Sequence, residues 1–326
     1  MVVIPDQNTW PGRTDTDGLR QRLLNWFAEH GRDLPWRHTR DPYRVLVSEI
    51  MLQQTQVDRV IPKYLAFLEQ FPDMAALADA PTADVIRAWA GLGYNRRAVN
   101  LQRTARAVLG EHGGQFPRDV AVLLTLPGIG PYTAGALACF AFEQDVGFVD
   151  TNIRRVVQRL FVGPEECGVA VESELVRLAA QAVPAGQGWA WNQAIMELGA
   201  LVCTAVTPAC WRCPLQRDCA AYTTRRQSDE QLFDGIPMVV ETPRRVRAVA
   251  ERREAPFANS NRFFRGRLVD ALRAVPPGEA LALAALGPRI KPDYSEADAA
   301  WLRELATRLA TDGLIELDGD GARLPA

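Results

Sequence analysis

The sequence predicts an all-α body followed by a small α+β module of winged-helix type, and three observations carry that prediction. From about residue 19 to residue 222 apolar residues recur at spacings of three and four, without sustained alternation. Gly and Pro punctuate the same stretch at intervals suited to short helix joints. Beyond about residue 261, three further helical or apolar segments precede a short hairpin signal.

Taken in order, breaks at Gly31, Pro42, Pro72, Pro81, Gly91 to Gly93, Gly113 and Gly114, Pro127 to Gly130, Gly163 and Pro164, and Pro184 to Gly188 divide the body into about nine or ten helices. From Thr223 to about Asn261 the periodicity fades. Between residues 244 and 273 nine arginines face three acids, Glu251, Glu254 and Asp270, which reads as an exposed basic linker. A helix is expected near 263–275, an apolar segment at 280–286, a third helix near 295–311 and a stop at Gly313. The tail LIEL-DGDG-ARLP then reads as a hairpin.

The 326 residues are 48% apolar and 23% charged, a globular composition with room for about two domains. No stretch reaches the ~18 uninterrupted apolar residues of a membrane span, and MVVIPDQNTWPGRTDTDG lacks a basic segment followed by an apolar one. A soluble, cytoplasmic chain is the expectation. Its 37 basic and 39 acidic residues give a net charge of −2, so no global basic field advertises a polyanionic partner. Lysine stands only at 63 and 291, however, and the remaining cations are arginine, which forks onto phosphate and stacks on bases. A GC-rich genome produces the same bias.

Cysteine usage is sharper. Cys203, Cys210, Cys213 and Cys219 form a C-x6-C-x2-C-x5-C run, short enough to wrap one small inorganic centre. A 4Fe–4S cluster and zinc both accept four thiolates; zinc sites usually pair two C-x2-4-C knuckles, and this run has one knuckle and two wider gaps. Unligated thiols are the third reading. Cys139, in ALACFAF, and Cys167 read as ordinary thiols.

LPGIG at residues 126–130 lies between two helical stretches, and Gly128 and Gly130 can let backbone N–H groups face a phosphate at the start of the next helix. A plain Pro-Gly turn is the alternative. In VDTNIRRV, Asp150 ends an apolar stretch, where it can serve as a helix N-cap or as a carboxylate held beside a phosphate-binding hairpin. Glu49 lies among Val45, Leu46, Val47, Ile50, Met51 and Leu52. Partial burial would raise its pKa and let it donate a proton to a leaving group; the alternative is a Glu on the polar edge of an amphipathic helix. Gln53 and Gln54 follow one turn on.

Together RDLPWR, DPYRVLVSEIMLQQTQV, GLGY, NLQRTARAV, LPGIGPYTAGA, VDTNIRRV, WNQAIMELGALVCT and the four-cysteine run resemble the MutY-type adenine DNA glycosylases of the helix-hairpin-helix superfamily. The resemblance runs from about Arg32 to Cys219, and SEIMLQQT is specific to the MutY branch. It implies a six-helix barrel with a helix-hairpin-helix at 38–140 and an N-terminal helix at 18–37 packing with an iron–sulfur domain at 141–224; the patterning beyond it adds a basic linker at 225–261 and a winged-helix-like module at 262–326.

It further implies a monofunctional enzyme of base excision repair that removes adenine opposite 8-oxoguanine or guanine. Its partner would be double-stranded DNA, and the protein would be monomeric and nucleoid-associated in a bacterial-type cell. Glu49 matches the acid that protonates adenine, and Asp150 the carboxylate that stabilises the sugar cation, with Tyr132 and Asn152 supporting it. Tyr94 matches the wedge inserted into the duplex, and Gln53 and Gln54 the strand-separating residues. Arg32 and Gln193 match positions that touch the flipped base, with Arg37 grouped beside them. The four cysteines would hold a 4Fe–4S cluster. At the Tyr132 position endonuclease III-like relatives place the lysine that forms a Schiff base, which a phenol cannot form.

Two departures qualify the match. Asn95 follows Tyr94 where many members have a second tyrosine. The tail does not resemble the Nudix-like domain with which many members recognise 8-oxoguanine, and His30, His38 and His112 are the only histidines, so no C-terminal histidine can contact a damaged guanine. The competing readings are a thymine or uracil glycosylase for G·T and G·U mismatches, and a non-catalytic lesion sensor.

Overall fold

The computed structural model describes residues 15–233 and 260–326. Within these the chain is helical apart from one three-stranded sheet near the C-terminus, as the periodicity predicts. It divides into two compact units, Met1–Pro42 with Arg118–Leu124 and Gly130–Ala250, and Tyr43–Pro117 with Thr125–Ile129 and Glu251–Ala326.

In the first unit the helix Thr16–His30 starts at Asp15, whose carboxylate accepts from the Gly18 N–H at 2.9 Å and satisfies one orphan donor. It buries Leu19 and Leu23, and packs on the helix Gly188–Leu201. Gly130 and Pro131 open the helix Pro131–Phe140, which is buried from Thr133 onward. Asp150 opens the helix Thr151–Val157, which runs into a π-helical stretch, Gln158–Val162. The helix Glu172–Ala182 and the cysteine-bearing loop follow. The chain then forms the helix Ala220–Phe233, so residues 225–233, expected to begin the linker, are helical. Residues 234–259 of that linker lie outside the described residues.

The second unit holds the helices Pro42–Leu52, Val57–Gln70, Met74–Asp79, Thr82–Ala88 and Arg96–Glu111. Phe67 packs edge-on against Trp89 at 5.8 Å, and the Tyr43 hydroxyl donates to the Phe71 carbonyl at 2.7 Å. Buried Gln102 is satisfied on both faces of its amide, accepting from the Thr82 hydroxyl and donating to the carbonyls of Leu77 and Ala80.

The same unit contains the winged-helix-like module: helices Asn261–Arg273, Leu283–Ile290 and Ala299–Thr311, with strands β1 (Leu281–Ala282), β2 (Glu316–Asp318) and β3 (Gly321–Arg323). The strands are antiparallel in the order β1-β3-β2, with Leu281 opposite Ala322 and Leu317 opposite the same residue on the other side. Its core of Leu268, Leu272, Leu286, Leu305 and Leu309 is continuous with Ala83, Ile86 and Val99 from the helices Thr82–Ala88 and Arg96–Glu111. Backbone N–H groups of Thr82 and Ala83 donate to the carbonyls of Ala326 and Pro325, so the chain's last residues satisfy orphan donors at the start of another helix.

Candidate functional site

Asp150 does cap its helix. Its Oδ1 accepts from the Ile153 N–H at 2.6 Å and its Oδ2 from the Asn152 Nδ2 at 3.3 Å. Burial raises its pKa above the ordinary aspartate value, and these hydrogen bonds only partly oppose the rise. Asn152 is held in turn by Arg155, whose Nη2 donates to the Asn152 Oδ1 at 2.8 Å and to the Gly199 carbonyl at 2.7 Å. Gly199 allows that approach, because a Cβ there would stand 2.8 Å from the Asn152 Cβ. The Tyr132 ring lies edge-on to Phe148, two residues before Asp150, at 5.6 Å.

Glu197 is the residue that sequence reasoning missed. It is 1% exposed and receives the Arg32 backbone N–H, the Arg32 Nε and Nη2, and the Arg37 Nη2, all within 2.9 Å. Burial opposes its ionisation, but the hydrogen bonds from Arg32 and Arg37 outweigh it and hold the pKa below the carboxylate range. Arg37 also donates from Nε to the Gln193 Oε1 at 2.8 Å. Arg32, Arg37 and Gln193 therefore form one network around a buried anion. The missed signal was a carboxylate in WNQAIMELGA, one helical turn beyond Gln193.

Cys203, Cys210, Cys213 and Cys219 line a single cavity, joined by Arg159 and Tyr222. Burial pushes the Cys213 thiol up to about 12 and raises Cys219, with the neighbouring cysteines adding to the rise. Among the described residues no three His, Cys, Asp or Glu side chains are grouped tightly enough to hold a metal ion. Arg155 donates to the Cys203 carbonyl at 2.6 Å, and Arg159 to the carbonyls of Thr204 and Ala205 and, at 3.6 Å, to the Cys203 Sγ. One turn apart, these two arginines tie the helix that Asp150 starts to the cysteine loop. Cys139 is buried in the core, and Cys167 is exposed.

In the second unit Glu49 is 3% exposed, which removes the polar-edge alternative. Gln53 and Gln54 form the turn that ends its helix, Gln54 with φ 55°. Tyr94 is 44% exposed at φ 46°, a region that costs a bulky residue backbone strain. Arg97 ties the two turns together: it donates to the carbonyls of Ile50, Met51 and Gln53, and to those of Leu92 and Gly93. Burial lowers its pKa to about 10, and its guanidinium lies 5.6 Å from the Tyr94 ring. Gly128 has φ +78°, and a Cβ there would stand 2.7 Å from the Asn100 Cβ, so the hairpin turn requires glycine. The Thr104 hydroxyl donates to the Pro127 carbonyl at 2.6 Å.

Among the described residues the basic segment is helical from Asn261 to Arg273. Arg262, Arg265, Arg267 and Arg273 lie on the helix Asn261–Arg273 and contact Tyr94, Asp312, the Arg289 carbonyl and the Ile86 carbonyl respectively. Arg262 stays exposed, and Arg265, Arg267 and Arg273 are half-buried against acceptors that a local charge count cannot see.

Residues 47–181 match the HhH-GPD superfamily of base excision DNA repair proteins. The chain is 39% identical over 306 residues to the adenine DNA glycosylase of Mycolicibacterium smegmatis, covering 92% of this chain and 93% of that one. It is 38% identical to the Mycobacterium tuberculosis adenine DNA glycosylase, covering 98% and 96%. Among solved structures, a thermostable thymine-DNA glycosylase superposes with a TM-score of 0.60 at 32% identity, over 64% of this chain and 97% of that one. An endonuclease III–DNA complex shares the fold, with a TM-score of 0.56 at 21% identity over 66% of this chain and 100% of that one. Among the described residues no helix is long and apolar enough to cross a membrane.

Proposed function

The chain belongs to the adenine DNA glycosylases of the HhH-GPD superfamily, and from that premise we propose that it hydrolyses the N-glycosidic bond of adenine mispaired with 8-oxoguanine or guanine, leaving the strand uncut. Adenine leaves a sugar only when its ring nitrogen is protonated, and its departure generates an oxocarbenium ion. The chemistry therefore needs an acid and an anion in different environments. The observation that carries the reading is the burial of Glu49 to 3% exposure, which suits a carboxyl group that must carry a proton. Asp150, fixed by two hydrogen bonds, supplies the charge opposite the developing cation.

Tyr132 supports the sugar site and forms no Schiff base. Arg32 and Arg37, held by Glu197, and Gln193, held by Arg37, meet the extruded base. The target nucleotide must leave its stack at a cost of a few kcal/mol, which the Tyr94 wedge, Gln53, Gln54 and phosphate contacts at Gly128 and Gly130 offset.

The donor set suits an iron–sulfur cluster: four thiols around one cavity form an all-thiolate set with no other ligand type among them. Cys203, Cys210, Cys213 and Cys219 would hold it. Its part is structural, since glycosidic cleavage transfers no electron. The partner is duplex DNA carrying a mismatch or lesion, bound by a monomer at the bacterial nucleoid.

One duplex panel tests the function. With adenine, thymine or uracil placed opposite guanine or 8-oxoguanine, only adenine should be released, and strands should break only after alkali. Release of thymine or uracil with adenine untouched would replace this reading with the mismatch-pyrimidine one.

A further inference from the structure

Tyr94 is not an isolated loop side chain. The helix Asn261–Arg273 of the C-terminal module grips its turn from two ends. The Arg262 Nη1 donates to the Tyr94 hydroxyl at 2.7 Å, and the guanidinium lies 5.4 Å from the ring centroid. Eleven residues further, about 16 Å along the helix, the Arg273 Nη2 donates to the Asn95 Oδ1 at 2.9 Å and to the Ile86 carbonyl at 2.8 Å. Asn95, the residue that departs from the family's second tyrosine, is thus one of the acceptors that Arg273 holds in this turn. Arg97 faces the Tyr94 ring as well.

In the helix Ala299–Thr311 the outward arginines Arg303 and Arg308 pair with Asp320 and Glu304. What the module does present is a grip on a half-exposed aromatic side chain whose backbone sits in a strained region. Such strain persists only where the surroundings hold it, and holding a side chain in its working pose removes the ordering cost from the binding step.

We propose that the C-terminal module is part of the base-flipping apparatus: its helix Asn261–Arg273 preorganises the Tyr94 wedge, with Arg262 as a positioning residue and Arg273 anchoring the turn through Asn95. This rests on the reading of Tyr94 as the side chain that enters the duplex.

The test uses the full chain and a duplex with 2-aminopurine at the target position opposite 8-oxoguanine. Its fluorescence reports extrusion, and single-turnover adenine release is followed on the parent duplex. Arg262→Ala should lower the extruded fraction and the release rate roughly tenfold, the factor expected for losing one charged hydrogen bond. Melting temperature and the salt dependence of binding should stay at wild-type values. Tyr94→Ala should lower extrusion at least as much, and the double variant should be no worse than Tyr94→Ala alone, since the arginine acts through the tyrosine.

Wild-type extrusion in Arg262→Ala, or additive losses in the double variant, overturns the positioning role while leaving the wedge intact. A salt slope reduced by about one overturns it in favour of a phosphate contact. If Tyr94→Ala itself extrudes normally, the wedge reading falls, and the role of Arg262 falls with it.

Discussion

At Asp150 two duties meet in one carboxylate: it caps a helix, and it is the anion proposed to face a sugar cation. The duties separate by substitution. Asn caps about as well as Asp, so Asp150→Asn should fold normally. Its loss of charge should slow adenine release ~10²- to 10³-fold. Because the folded pKa is raised, the stability linked to this group is full below the unfolded pKa and is lost as pH rises through the folded value. Near neutral pH Asp150→Asn should therefore melt no lower than the wild type. The same shift places the acid limb of single-turnover release above the ordinary aspartate value of ~3.9. Glu49→Gln keeps the side chain's size and removes a useful proton donor, and should cost at least ~10²-fold in release while binding of uncleaved duplex survives. Single-turnover rates, their pH profile and thermal melting measured together check these outcomes, and near-wild-type release in either variant would refute the two-carboxylate mechanism.

The helix Thr151–Val157 and its π-helical continuation connect the proposed chemistry to the cysteine cavity. Arg155 reaches both Asn152 and the Cys203 carbonyl, while Arg159 holds Thr204 and Ala205. On the other side of the loop, Arg22 from the first helix donates to Asp218 at 2.8 Å, next to Cys219. These ties leave the four thiols facing one cavity, where the proposed cluster would sit. Purified protein should therefore be brown, with about four irons and four sulfides per chain. Cys213→Ser should lower soluble yield and DNA affinity together. One zinc per colourless chain, or a Cys213→Ser protein that folds and binds normally, would remove the cluster from the account.

In the whole molecule the C-terminal module shares a core with the unit that carries Glu49 and Tyr94. Removing residues 261–326 should bare Ile86 and Val99, worth ~1.5–3 kcal/mol each when buried, and strip the Pro325 and Ala326 carbonyls from the helix Thr82–Ala88. Against a typical stability of ~5–15 kcal/mol, the truncated chain should melt several degrees lower or aggregate; an unchanged melting temperature would make the module separable. The sequence by itself determined what contiguous spacing can encode: the helical body, the glycine turn at Gly128, the four-cysteine run, the apolar setting of Glu49, the Asp150 cap and the C-terminal hairpin. Each depends on neighbours within a few residues, where helix period and turn chemistry act. Only the tertiary structure decided which arginines matter and what they hold. Arg32 meets Glu197 across 165 residues, Arg97 the Gln53 carbonyl across 44, and Arg262 the Tyr94 hydroxyl across 168. In a chain with 37 basic residues no local pattern singles these out, because a guanidinium's partner is chosen by which distant acceptors folding brings within about 3 Å.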